Sequence, residues 1–341
     1  MDGQEYQIQR YRPRTEGLFA RIERWTNRQS GETHWRSISK DNITTLYGKL
    51  HDSHDATRGA QPRIADPTDS SRVFSWLICE TFDDKGNWID YQYAAENSDE
   101  VDESQAHERN RVGSRGANRY IKRILYGNQA SRLLQSDQRQ AKWLFEVVFD
   151  YGEHADNTPR PPVTQKWLHR TDSFSSFRAG FEVRTYRLCQ RVLMFHHIPD
   201  GPGGHASNPG YDGLVRSTDF MYEANDTTTY NFLKQVTQVA YRRHDHDDGY
   251  ETKTLPPVDF QYSPISIDSE VQAVDAESLE NLPYGLDGSR YQWVDLEGEG
   301  LSGILTKQAE GWFYKRNISP ITRGLATEKP RRRPVSSRSN W

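Results

Sequence analysis

Cysteine is nearly missing from this chain: Cys79 and Cys189 are the two present among 341 residues. Two thiols cannot build a disulfide framework, and neither has a second cysteine at metal-ligand spacing. Both sit in apolar runs and read as core residues, and synthesis in the reducing cytoplasm is the expectation. Long apolar runs are missing too. No stretch approaches the roughly 18–20 apolar residues of a membrane-crossing helix, so this chain is not expected to insert into a membrane. The opening MDGQEYQIQRYRPRTEG has no basic, apolar and small-residue succession, so no cleavable secretory signal is read. Nor does charge of one sign dominate: 44 basic residues face 48 acidic ones, a net charge of -4. That balance supplies no field for nucleic acid, and no nucleic-acid partner is expected. The motifs GxSxG, GxxxxGK[ST] and HExxH are all missing.

Rings are present instead. Aromatic residues make up 12% of a chain whose apolar share is only 34%, with nine Trp. Few aliphatics and many rings favour thin β layers over a thick α/β core. The chain reads as hairpin after hairpin. Trp35 to Gly48 is strand, Lys-Asp-Asn turn and strand. An apolar run from Trp76 meets the turn Asp83-Asp84-Lys85-Gly86-Asn87 and returns through Trp88, Tyr91 and Tyr93. Gly86 is placed to supply the positive φ of a tight or bulged turn. Arg119 to Gln129 is a further strand. In KWLFEVVFDYGEH, Trp143, Phe145, Val147 and Phe149 share one face and Glu146 and Asp150 the other. Phe181 to Pro199 is extended, and Phe232 to Phe260 forms another hairpin with HDHDDG at its tip. The helical candidates are Ser104 to Arg111 and Tyr222 to Val236.

Organisation shifts near residue 264. The expected division is an all-β hairpin region over 1–264, a second β region over 265–320 and a basic disordered tail over 321–341. Within the second region, YQWVDLEGEGLSGILTKQAEGWFYKRN has the strand and turn rhythm of one β-propeller blade. A propeller needs several blades, so the chain reads as a piece of a longer architecture.

Few constellations could carry chemistry. Asp295, Glu297 and Glu299 alternate with Leu296, Gly298 and Gly300 and could converge on Ca²⁺, but the ninth position is Gly303, so a metal-free turn is preferred. Glu297-Gly298-Glu299 also matches the paired glutamates of ADP-ribosyltransferases, with Ser217-Thr218 as the nearest imitation of their Ser-Thr-Ser strand. His244 to Asp248 read as a solvated turn, and His196-His197 fall on opposite faces of a strand. Trp143 and Trp167 read as core or interface rings. No catalytic residue, cofactor or metal is assigned.

Several of these strings occur together in one known family. PRIADP, FSWLICETFDDKGNWIDYQY, ANRYIKRILYGN, FEVVFDYGEH, RTDSFSSFRAGFEVRTYRLCQRVLMFHH, KQVTQVAYRR, LPPVDFQYS and ENLPYGLDGSRYQWVDLEGEGLSGIL closely resemble the SpvB/TcdB family. That family comprises the plasmid virulence protein B of enterobacteria and the B component of insecticidal toxin complexes (Tc toxins). The resemblance runs from about Arg12 to about Pro320. It implies an RHS/YD-type shell of β-hairpins followed by the start of a β-propeller. It also implies a structural, non-enzymatic component that encloses a cytotoxic payload with a C component and docks on the A component, the pore. Release to the extracellular space as part of a toxin complex follows from the same resemblance. The transferase residues of the plasmid virulence protein lie outside the matched region. The alternatives are a toxin enzyme of the ADP-ribosyltransferase class and a free carbohydrate- or protein-binding β module.

Overall fold

The computed structural model describes residues 5–17, 19–51, 58–134, 141–200, 210–224, 230–244, 249–263, 276–280, 288, 290–298, 300–308, 311–317 and 336–339. The chain divides into two compact units, Met1–Ile265 and Ser266–Trp341. In unit 1 the first strands are β1 (Tyr6–Tyr11), β2 (Arg21–Asn27), β3 (Thr33–Ile38), β4 (Thr44–Tyr47), β5 (Arg63–Asp66) and β6 (Asp69–Trp76). Then come β7 (Ile78–Phe82), β8 (Trp88–Ala95), the short helix α1 (Ala106–Arg109), β9 (Arg119–Asn128) and β10 (Trp143–Asp150). The unit ends with β11 (Phe174–Ser176), β12 (Val183–Thr185), β13 (Arg191–Ile198), β14 (Tyr211–Ala224), β15 (Asn231–Arg243), β16 (Tyr250–Thr254) and β17 (Val258–Asp259). The fold class is all-β.

Thirteen of these strands make one antiparallel sheet in the order β1-β2-β3-β4-β7-β8-β9-β10-β13-β14-β15-β16, with β17 also on β15. Strands near in sequence are neighbours in the sheet, as expected when each turn hands the chain directly to its partner. The pairs β5-β6 and β11-β12 stand outside it as separate ribbons. Register shifts interrupt β4-β7, β8-β9, β13-β14 and β14-β15. Such bulges bend the strand and increase its twist.

The turn into β8 follows its sequence signature. Asp83 Oδ1 accepts from the amides of Lys85 and Asn87, both at 2.9 Å, and Gly86 has φ +91. A Cβ at Gly86 would come 1.9 Å from Ser131 Oγ. Ser104 to Arg111 contains only the four-residue α1. The other helical expectation, Tyr222 to Val236, is overturned: its described residues belong to the β14-β15 hairpin, with Tyr222 opposite Leu233 and Phe220 opposite Val236. Nine cross-strand pairs between β14 and β15 outweigh a weak local helical pattern.

In unit 2, α2 (Ala276–Leu279) precedes β18 (Tyr291–Val294), β19 (Gly303–Gln308), β20 (Gly311–Asn317) and β21 (Ser336–Ser339). The four strands form an antiparallel sheet in chain order. Ser336 to Ser339 of β21 pair with Asn317 to Tyr314 of β20.

Candidate functional site

The alternation in β10 is present, and the face buried more deeply is the charged one. Glu146, Val148 and Asp150 are buried, while Trp143, Phe145, Val147 and Phe149 are half-buried. Burying a carboxylate is costly unless a cation and hydrogen bonds meet it. Neighbouring strands supply them: Arg123 Nε of β9 is 2.5 Å from Glu146 Oε1, and Arg191 Nη2 of β13 is 2.6 Å from Asp150 Oδ2.

The pattern continues in β7 and β8, where Glu80 and Asp90 are paired in register and both buried. Arg58 lies 2.5 Å from Asp90 and 3.5 Å from Glu80, and Arg132 lies 3.0 Å from Glu80. Burial nevertheless pushes the Asp90 carboxyl above its usual range, against the pull of Arg58. A polar cavity of about 170 Å³ opens here, lined by Lys49, His51, Arg58, Cys79, Glu80 and Asp90 among others.

Two further pairs fasten the loops. Arg187 and Glu96 have side chains at 0% exposure; Arg187 Nη2 donates to Glu96 Oε1 at 2.5 Å and Nε to Oε2 at 3.1 Å. The same guanidinium lies 4.3 Å from the Trp167 ring centre. Glu108 of α1 is bonded by Arg184 and by Tyr186 Oη, the latter at 2.5 Å.

Where β10 ends, Asp150, Glu153 and His154 bring ligand-type atoms within 4.8 Å of one another, all buried. Every one of these groups already has a proton partner. Asp150 Oδ1 accepts from the amides of Gly152 and Glu153, and Oδ2 from Arg191. Lys122 donates to Glu153 Oε1 and to Phe149 O, and lies 2.8 Å from His154 Nε2. The cluster is built around an ammonium group.

The residues singled out by sequence are scattered. Asp295 uses its carboxylate on its own turn, accepting from the amides of Gly298 at 2.8 Å and Gly300 at 2.6 Å. Glu297 Oε2 pairs with Arg316 at 2.9 Å. Glu299 and residues 245–248 of the HDHDDG tip lie outside the described residues. Ser217-Thr218 is inside β14, with Ser217 fully buried and 3.0 Å from Tyr241 Oη. His197 bridges Asp212 at 2.6 Å and Glu146 at 3.1 Å, whereas His196 meets the Phe145 ring edge-on. Hydrogen bonds that His197 donates to Glu146 and Asp212 raise its pKa, and burial lowers that of His196. Trp167 is a core ring against Tyr120 and Tyr151, and Trp143 packs 4.6 Å from Trp88. Burial pushes the thiols of Cys79 and Cys189 up to about 12, which leaves them as inert thiols. Sequence reasoning missed Lys122, Arg123, Arg187 and Arg191. Lys122 and Arg123 are adjacent in β9, Arg191 opens β13 and Arg187 lies in the connection between β12 and β13, so no single spacing marks them.

Residues 1–198 match the family described as SpvB, the Salmonella virulence plasmid 65kDa B protein. A mono(ADP-ribosyl)transferase SpvB of Salmonella typhimurium is 39% identical over 255 residues, 72% of this chain and 39% of that protein. The chain thus spans well under half the length of this relative. The solved N-terminal domain of effector protein SpvB from Salmonella typhimurium strain LT2 is 34% identical with a TM-score of 0.59, covering 70% of this chain and 71% of that one. The crystal structure of TcdB2-TccC3 is 28% identical with a TM-score of 0.73, covering 99% of this chain and 15% of that one. The expectation of a non-enzymatic protein is corrected here, because the relatives matched in sequence bear an enzyme's name, although the match covers only part of them. Among the described residues no helix is long and apolar enough to cross a membrane. With its family match extending over more than half its length, the chain belongs to the SpvB family.

Proposed function

We propose that the chain is a wall segment of an SpvB-like or Tc-like toxin, in which the thirteen-stranded sheet forms part of a β shell around a cytotoxic payload. The observation that carries this reading is the likeness to TcdB2-TccC3, which spans 99% of the chain and so takes in both units. A continuous antiparallel sheet whose buried carboxylates are met by cations suits a wall, since its buried charge is paired within the same unit. On this reading a C-type component completes the shell. The β18–β21 sheet is then one blade of a propeller that docks on a pore component, and the assembled complex acts outside the producing cell. Co-expression with a C-type partner tests it: the two should co-elute, and the partner's payload should resist protease. Separate elution with a payload digested at the rate of the partner alone would overturn the reading.

The relatives' name supports a second reading, transfer of ADP-ribose from NAD by the protein to which this region belongs. Incubation of the chain with labelled NAD and candidate protein acceptors tests whether the described region contributes. Label transfer would favour this second reading over the first.

A further inference from the structure

The ammonium cluster at the end of β10 has a consequence that does not depend on the shell reading. His154 is 1% exposed. Its Nδ1 lies 2.8 Å from the carbonyl oxygen of Arg160, which can only accept, so Nδ1 carries the proton. Nε2 is therefore the lone-pair atom, and it faces Lys122 Nζ at 2.8 Å. Lys122 has three N–H donors and three acceptors around it: His154 Nε2, Glu153 Oε1 and Phe149 O. The set is complete only while His154 is neutral. The charges also balance only then, with Lys122 from β9 and Arg191 from β13 against Asp150 and Glu153. A proton on Nε2 would point at an ammonium group in a buried site and leave one positive charge uncompensated.

This cluster fastens the segment from Tyr151 to Leu168. Tyr151 N donates to Glu153 Oε2 at 2.6 Å, and Arg191 Nη2 reaches His154 O at 3.2 Å. Thr164 N bonds Glu153 O at 3.0 Å and Leu168 N bonds Tyr151 O at 2.9 Å, so the segment folds back on the residues the cluster holds. Trp167 near its end packs on Tyr120 and Tyr151.

We propose that His154, Lys122 and Glu153 form an acid-sensitive latch, which holds the Tyr151–Leu168 segment on the sheet and releases it when His154 takes up a proton. Burial first, and the Lys122 charge second, hold the His154 pKa below its ordinary value. The unfastened segment therefore binds the proton more readily than the fastened one, and closure weakens as pH falls below the ordinary histidine range. His169, just beyond the segment, also has a lowered pKa through burial and Arg187, and it serves as a control.

Hydrogen exchange on the whole chain at about pH 7.5 and about pH 5, corrected for intrinsic chemistry, tests the latch. Opening of the amides from Tyr151 to Leu168 should increase by about tenfold in acid, because the opened segment binds the proton more readily. His154→Gln, which keeps an acceptor for Lys122 but cannot titrate, should flatten that response, and His169→Gln should preserve it. An unchanged segment in wild type, or an acid response that survives His154→Gln, would overturn the latch. Should His154→Gln fail to fold, wild type alone decides: loosening confined to the segment supports the latch, and equal loosening across β13 and β14 overturns it.

Discussion

Around β13 and β14 the large sheet is closed by apolar side chains, whereas from β7 to β10 its buried face is closed by ion pairs. Val148, Leu193, Phe195 and Leu214 make the apolar part, none more than 2% exposed. Glu80, Asp90, Glu146 and Asp150 make the charged part, each with an arginine against it. Val148 sits between Glu146 and Asp150 on one strand, so the two regimes meet on β10. Their tolerances differ in kind. An apolar contact is non-directional and loses stability in proportion to the volume removed. A buried ion pair fails as a unit when one partner is lost, because the other stays charged without water. The charged part therefore fixes which strand lies beside which, and the apolar part supplies transferable burial.

Breaking one member of a pair should have the largest effect. Arg187→Met strands Glu96 at 0% exposure and should cost about 3–5 kcal/mol in urea unfolding. A loss below about 1 kcal/mol, the value of an exposed pair, would mean that water reaches the site. In the apolar part, Leu193→Ala should cost about 2–5 kcal/mol, with Leu193→Met below about 1.5 kcal/mol. An equal penalty for both would show that shape, not burial, governs that region. Gly86→Val should cost about 1–3 kcal/mol through its positive φ, and its closeness to Ser131 prevents relief. A neutral result would remove the turn from the account. The smallest effect concerns His197, whose partners Glu146 and Asp212 raise its pKa. A raised histidine pKa stabilises fully below the unfolded value and loses that contribution as pH rises through the folded value. The stability gap between wild type and His197→Gln should accordingly be wider near pH 6 than near pH 8. A gap independent of pH would show that His197 is held by shape alone.

Much of the fold was legible because turns and alternation are local. Gly86 with Asp83 and Asn87 declared its hairpin, and β10 declared its two faces. Which face would be buried was not legible, since the cations that neutralise Glu146 and Asp150 come from β9 and β13, far away in sequence. The same limit hid Lys122 beneath His154. Tyr222 to Val236 misled because its apolar spacing suits a helix until the strand that pairs with it is known. Asp295 was weighed as a calcium ligand with a metal-free turn preferred; that its oxygens accept from the amides of Gly298 and Gly300 is something only coordinates display.

A double-mutant cycle on Arg187 and Glu96 tests most directly whether a buried ion pair of this unit fails as a unit. Arg187→Met, Glu96→Leu and the double variant would be unfolded in urea beside the wild type. Each single change should be severe, and the double variant should recover most of the loss, with a coupling above about 2 kcal/mol. Additive losses, with no recovery in the double variant, would contradict the account.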